Sequence, residues 1–337
     1  MFAARITAKN TIELVDVDEP TLTGNTLEGG PSMIFQPELT CLCGSDLPFF
    51  CEEQDEYPLK DGMSLHEMVG TVLETSGNKF KVGDRVLAVP EWQRGFYERY
   101  EVPEGRVIPL DDRQPPEVAL MAQPLGTAIY ALRKLPPLFD LDVVVYGQGP
   151  MGQIFNACLR NLGARQIIAL DRVASRLERS RQLGATSMID TTQQDAAAEV
   201  TRLTDGRMAD VVIEAVGHSN IAINSCIPLC REHGDILSFG VPPLTKPISI
   251  QWIDLFMKNI SIHTSVNPDF NSDFPLAMRW VSEGRIDMAP LITHRFEVAK
   301  IQEAFEVFRD KKDGAIKVLV DFPASGQKPP NGPFQLT

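Results

Sequence analysis

The chain has 337 residues, 43% hydrophobic and 23% charged, with 45 acidic against 32 basic side chains and a net charge of −13. That length exceeds what one core usually serves and predicts two domains, while the negative charge argues against a general binder of nucleic-acid backbone. No apolar run reaches the roughly 18 residues that span a bilayer, and six cysteines in a chain this long, with no secretory signal at its start, predict a reduced, cytoplasmic protein rather than a disulfide scaffold.

Residues 1–20 read as an alternating strand. The stretch to about 122 is rich in β-forming residues punctuated by Gly and Pro, with strands at 71–74, 85–89 and 100–102 among others, which predicts a compact, mostly β domain. After Pro124 the pattern changes. Apolar runs at 143–146, 166–170, 187–189, 210–214, 235–239 and 261–264 alternate with helical stretches such as 151–162 and 174–183. Continuous apolar strands alternating with helices predict an α/β fold whose parallel sheet is covered on both faces, and six of them fit a doubly wound dinucleotide-binding domain. Beyond about 266 the alternation stops. Helices at 274–283 and 301–309 precede a strand at 316–321, so this part returns to the first domain: 1–124 and 267–337 surround an inserted 125–266. The Pro- and Gly-rich tail from 323 reads as a loosely held terminus.

The sharpest motif is VVVYGQGPMG, where Gly147, Gly149 and Gly152 form G-x-G-x-x-G between an apolar strand and a helix. Gly147 permits the tight turn, Gly149 lets the backbone approach a pyrophosphate, and Gly152 lets helix and strand pack closely. Pro150 and Met151 open the helix whose N-terminus faces that pyrophosphate. Asp171 ends the next strand at the spacing of an acid that binds the adenosine ribose. A carboxylate there repels a 2′-phosphate, favouring NAD over NADP, a preference that Arg172 softens.

A second constellation is split along the first domain: Cys43 in CLCGSD, and His66 and Glu67 in GMSLHEMVG. Thiolate, imidazole and carboxylate suit tetrahedral zinc. The spacing alone leaves open a core cysteine and a surface His-Glu pair. Cys158, Cys226 and Cys230 fall in apolar helical patterns and read as buried small hydrophobes.

The segments CGSD, HEMVGTV, KVGDRV, QPLGTA, YGQGPMG, SFGVPP and PLITHRFEVAKIQEAFE together resemble the zinc-containing medium-chain dehydrogenase/reductase family of alcohol, polyol and sugar dehydrogenases. The resemblance implies a split GroES-like catalytic domain with an inserted Rossmann domain. It implies oxidation of a secondary alcohol of a polyol or sugar-like substrate, with hydride passing to nicotinamide C4. It makes Cys43 and His66 catalytic zinc ligands, Glu67 an acid that either ligates the zinc or swings on and off it, Ser45 the hydroxyl that receives the substrate proton, Thr127 a neighbour of the nicotinamide ring and Val241 a backbone contact to its carboxamide. The fourth ligand position falls on Gln123, a weaker neutral donor, and Pro48 replaces the family's relay histidine. Residues 86–101 hold none of the four cysteines of the family's structural-zinc lobe, so one zinc per chain is expected, with Cys41 and Cys51 as bystanders. Trp92, Phe49 and Phe96 either line the substrate pocket or simply pack. His218, His233, His263 and His294 read as structural or surface residues. A homodimer or homotetramer is implied, paired through the strand at 261–264. Two other readings stay open: a zinc-free enoyl or quinone reductase of the same superfamily, and an NAD-binding regulatory protein without activity.

Overall fold

The computed structural model describes residues 1–24, 26–217, 221–242 and 247–323. Contacts divide the chain into two compact units: Met1–Gln123 with Phe270–Glu283 and Leu291 onward, and Pro124–Asp269 with Gly284–Pro290.

The first unit opens on an antiparallel hairpin, β1 (Phe2–Ala8) and β2 (Thr11–Asp16). The single alternating strand read at 1–20 is therefore two, reversed at Asn10, where φ is 60°. Next comes β3 (Ser32–Cys41), buried at every position except Glu38. A short helix α1 (Leu47–Cys51) leads to β4 (Met68–Thr75), β5 (Arg85–Ala88), β6 (Tyr100–Pro103) and β7 (Val107–Pro109), then to α2 (Pro116–Ala119) and α3 (Ala122–Leu132).

In the second unit the strands are β8 (Asp142–Tyr146), β9 (Gln166–Asp171), β10 (Ser187–Asp190), β11 (Ala209–Glu214), β12 (Cys230–Ser238) and β13 (Ser261–Thr264). Between them run α4 (Pro150–Leu162), α5 (Ala174–Gln182), α6 (Ala196–Leu203), α7 (Ala222–Cys226) and α8 (Trp252–Lys258). All the pairings are parallel, in the order β10-β9-β8-β11-β12-β13. This is the doubly wound arrangement in which the first strand lies central and the chain reverses beside it. Val144, Ile168, Leu170, Val212 and Ile236 form its core, as continuous apolar strands require. The strand read at 235–239 begins at Cys230, because the polar run Arg231–His233 hides its first half from an apolar count.

The chain then returns to the first unit through α9 (Asp273–Ser282), β14 (Ile292–Glu297), α10 (Ile301–Asp310) and β15 (Lys317–Asp321). β14 and β15 pair in parallel across the α10 crossover, and β15 lies antiparallel on β3. The main sheet therefore runs β14-β15-β3-β4-β5-β7, with β6 also on β3. Phe35, Phe50, Phe96 and Phe305 are fully buried in its core, the Phe50 and Phe305 rings 4.8 Å apart.

Candidate metal and cofactor sites

The central position of β3 explains how residues far apart in sequence meet. Register pairs Thr40 with Met68 on one side and Cys41 with Leu319 on the other. Glu67, just before β4, and Lys317, at the start of β15, thus flank the end of β3, and the chain leaves β3 directly into Cys43. Ligand atoms of Cys43, His66 and Glu67 all lie within 4.8 Å of one another. The Glu67 carbonyl accepts from the Thr40 hydroxyl at 2.8 Å and the Cys41 amide at 3.1 Å, fixing that corner.

Asp46 joins the two ligand loops. Its fully buried carboxylate accepts from the Cys43 amide at 2.7 Å and the Leu65 amide at 2.9 Å, and its Oδ1 stands 3.6 Å from His66 Nδ1. Burial pushes the Asp46 carboxyl up, but His66 and the two amides outweigh it and leave its pKa below the ordinary value. Burial likewise opposes charge on His66, yet Asp46 and Cys43 raise its pKa well above the usual range. Ser64 and Leu65, immediately before His66, hold φ of 85° and 68°, a left-handed backbone that ordinary side chains disfavour. The Asp46 bond to Leu65, and the Ser64 and Leu65 bonds to Gln93 O and Gly95 N, hold that turn.

Glu67 and Lys317 are both completely buried, with Nζ 2.6 Å from each carboxylate oxygen. Burial works against the Lys317 charge, but the nearby Cys41 and Glu67 raise its pKa, so the ammonium persists. Burial pushes the Cys41 thiol well up. Neither Lys317 nor Asp46 was given a role from sequence, although a lysine inside the apolar run AIKVLV and an acid three residues after a ligand cysteine are both visible there.

These residues fit a zinc ion. The donors are a sulfur, an imidazole nitrogen and a carboxylate oxygen. His66 Nδ1 is buried without a hydrogen-bond partner and faces Asp46, which leaves Nε2 for an ion, with a carboxylate behind the ring as metal-binding histidines usually have. Ser45 sits half-buried in the 3-10 turn Gly44–Asp46, between Cys43 and Asp46. Gln123 is buried in the first turn of α3. Of the aromatic residues, Phe96 is core, Phe49 packs on that core, and Trp92 is 72% exposed. For Phe96, packing is the correct reading. His294 contacts Thr293, His263 pairs with Asp235 at 2.7 Å, His233 is exposed, and His218 lies outside the described residues.

In the second unit the three glycines differ. Gly147 has φ of 100°; a Cβ on Gly152 would sit 1.9 Å from Gly147 O; a Cβ on Gly149 would meet nothing nearer than Arg176 Nη1 at 3.8 Å. The first two need glycine for the turn and the close helix packing, and the third leaves an open face at the start of α4, where Pro150 and half-buried Met151 follow. The Asp171 carboxylate is already engaged: Oδ2 accepts from Gln148 N at 2.6 Å, Oδ1 from Arg172 N at 2.7 Å and Val173 N at 2.9 Å. A carboxylate offers about four acceptor positions, so Asp171 keeps room for a ribose hydroxyl. Arg176, unnoticed in the sequence, lies beside Gly149, and its guanidinium makes no hydrogen bond or ion pair among the described residues. Thr127 is half-buried on α3, and the Val241 amide lies 3.3 Å from where a Cβ on Gly217 would stand.

Residues 150–283 match the zinc-binding dehydrogenase family model. The chain is 27% identical to the L-threonine 3-dehydrogenase of Aeromonas hydrophila, over 90% of this chain and 95% of that one. It is 26% identical to the D-arabitol-phosphate dehydrogenase of Enterococcus avium, over 91% and 93%. The alcohol dehydrogenase TADH of Thermus sp. ATN1 has the same fold, with a TM-score of 0.85 at 23% identity, covering 95% of this chain and 99% of that one. The fold is the one that alcohol dehydrogenase has, and in this chain Cys43, His66 and Glu67 stand together as potential metal donors. These matches make the chain similar to zinc-containing alcohol and polyol dehydrogenases.

Proposed function

We propose that this chain is an NAD-dependent, zinc-using dehydrogenase that oxidises a secondary alcohol of a polyol or sugar-like substrate. The observation that carries the reading is the convergence of Cys43, His66 and Glu67 within 4.8 Å. Cys43, His66 and Glu67, with Gln123 as the fourth donor, hold one zinc. When bound, zinc supplies Lewis acidity toward a substrate hydroxyl and the nicotinamide accepts hydride at C4. Asp46 orients the His66 ring. Lys317 pairs with both Glu67 oxygens and would balance that carboxylate's charge whether or not it ligates the metal. Ser45, beside the ligand cysteine, receives the hydroxyl proton. Thr127 and the Val241 backbone orient the nicotinamide ring. Gly149 and the α4 N-terminus, with Pro150 and Met151, receive the pyrophosphate, and Asp171 accepts from the ribose, favouring NAD; Arg172 and Arg176 stand nearby as cations. The D-arabitol-phosphate dehydrogenase relative supports the polyol class. Six unbridged cysteines suit a cytosolic setting.

The partner we propose is a second copy. β13 is an edge strand, and α8 carries Trp252, Ile253, Phe256 and Met257, each 65–68% exposed. An unpaired edge beside so much apolar surface calls for cover. Light scattering should give a multiple of the chain mass, lowered by Trp252→Glu; a wild-type monomer contradicts the assembly.

The activity is tested by NAD(P)H production from a panel of polyols and sugars, with and without chelation. Turnover with NAD that is abolished by chelation and restored by zinc is expected. Turnover that survives complete metal removal overturns the zinc reading.

A further inference from the structure

Beneath the glycine turn lies a cluster of polar side chains that the reaction does not use. Gln148, Gln153, Asn156 and Ser180 are all fully buried. Gln148 is the hub. Its Nε2 donates to Val145 O on β8 at 2.8 Å; its Oε1 accepts from Asn156 Nδ2 on α4 at 2.7 Å and lies 2.9 Å from Ser180 Oγ on α5. Its backbone N–H donates to Asp171 Oδ2 at 2.6 Å. Gln153 Nε2 then joins Gln148 O, at 3.2 Å, to Arg176 O, at 2.9 Å. One connected network thus ties the turn between Gly147 and Gly149 to the acid that ends β9 and to the helix that carries Arg176.

Four buried polar side chains are costly where apolar ones would pack as well. Their bonds converge on one backbone segment, and that segment is the one a dinucleotide must approach. We propose that Gln148 and Gln153 are positioning residues of the cofactor site, locking the glycine turn, the Asp171 carboxylate and the α5 helix into their binding arrangement before the dinucleotide arrives. The inference rests on the nicotinamide cofactor reading above. Its physical content is preorganisation: without the network the turn and carboxylate must be ordered during binding, at the expense of affinity.

The test is NADH binding by fluorescence titration to the purified full chain, with ADP-ribose as competitor. Gln148→Ala should weaken both ligands about tenfold, the scale of lost buried hydrogen bonds, and Ser180→Ala, which removes only one of the three side-chain contacts of Gln148, should weaken them less. If the Gln148 side chain acts by fixing the turn whose main-chain amide reaches Asp171, the two substitutions are coupled: in an Asp171→Ala background, Gln148→Ala should lose most of its effect. A merely structural role would lower the melting temperature and leave the two effects additive. Gln153→Leu gives the same reading should Gln148→Ala fail to fold. Folded variants that bind NADH within twofold of wild type, or fully additive effects, overturn the proposal. A wild-type chain that binds neither NADH nor NADPH removes the cofactor reading itself, a distinct outcome.

Discussion

Asp46 touches neither reactant in the proposed chemistry, yet its two oxygens set both ligand loops at once. Removing its carboxylate releases the His66 ring and frees the Cys43 and Leu65 amides. Asp46→Asn should lower zinc affinity by about 10–100-fold, the usual effect of losing the group behind a ligating histidine, measured by competition with a chromogenic chelator. Lys317 differs because its partner is buried with it. Lys317→Ala strands the Glu67 carboxylate, and breaking a buried pair from one side costs about 3–5 kcal/mol. Since a bound cation also compensates Glu67, chemical denaturation should show a larger loss for this variant after metal stripping than before. An equal loss in both states would mean that Glu67 does not respond to the metal.

At the scale of elements, two local devices make separate predictions. The glycine turn admits no side chain at Gly152, where a Cβ would stand 1.9 Å from Gly147 O. Gly152→Ala must therefore push α4 away from the turn, and dinucleotide binding should fall at least tenfold by titration. On β6, Glu101 accepts from Ser32 Oγ at 2.6 Å, Thr23 Oγ1 at 2.7 Å and Gly24 N at 2.8 Å. Burial raises its pKa, but those hydrogen bonds win and set it below the ordinary value of 4.5. A carboxyl with a lowered folded pKa stabilises the fold above its unfolded pKa and loses that contribution as pH falls through the folded value. The melting temperature should accordingly drop on acidification below pH 4.5, and Glu101→Gln should flatten that limb.

The same scale shows what the sequence can disclose. The parallel sheet was legible because its strands are continuous apolar runs, and β13 falls where the run at 261–264 does. β14 was missed: Ile292–Glu297 mixes Thr, His and Arg and is only half-buried, so neither an apolar run nor alternation marks it. Spacing alone gave Cys43, His66 and Glu67 only as ligand types; the expectation that they meet came from the family resemblance, because their meeting depends on the register of β4 against β3. Lys317 stayed hidden for that reason: its partner is 250 positions away. The network around Gln148 was equally invisible, since glutamine beside a glycine turn is ordinarily a surface residue.

Across the whole molecule, each unit carries one part of the proposed reaction: potential metal donors in the loops after β3 and before β4, and a glycine turn between β8 and α4. Among the described residues no helix is long and apolar enough to cross a membrane. Cys43, His66 and Glu67 form the only group of three or more His, Cys, Asp or Glu side chains there that could hold an ion. Everything proposed about alcohol oxidation depends on that cluster being occupied. The most direct measurement is the metal content of the purified chain and of Cys43→Ser, by mass spectrometry under equal zinc loading. The account predicts one zinc per wild-type chain and a loss of most of it in the variant. A wild-type chain without zinc, or a Cys43→Ser chain that keeps its full complement, would contradict it.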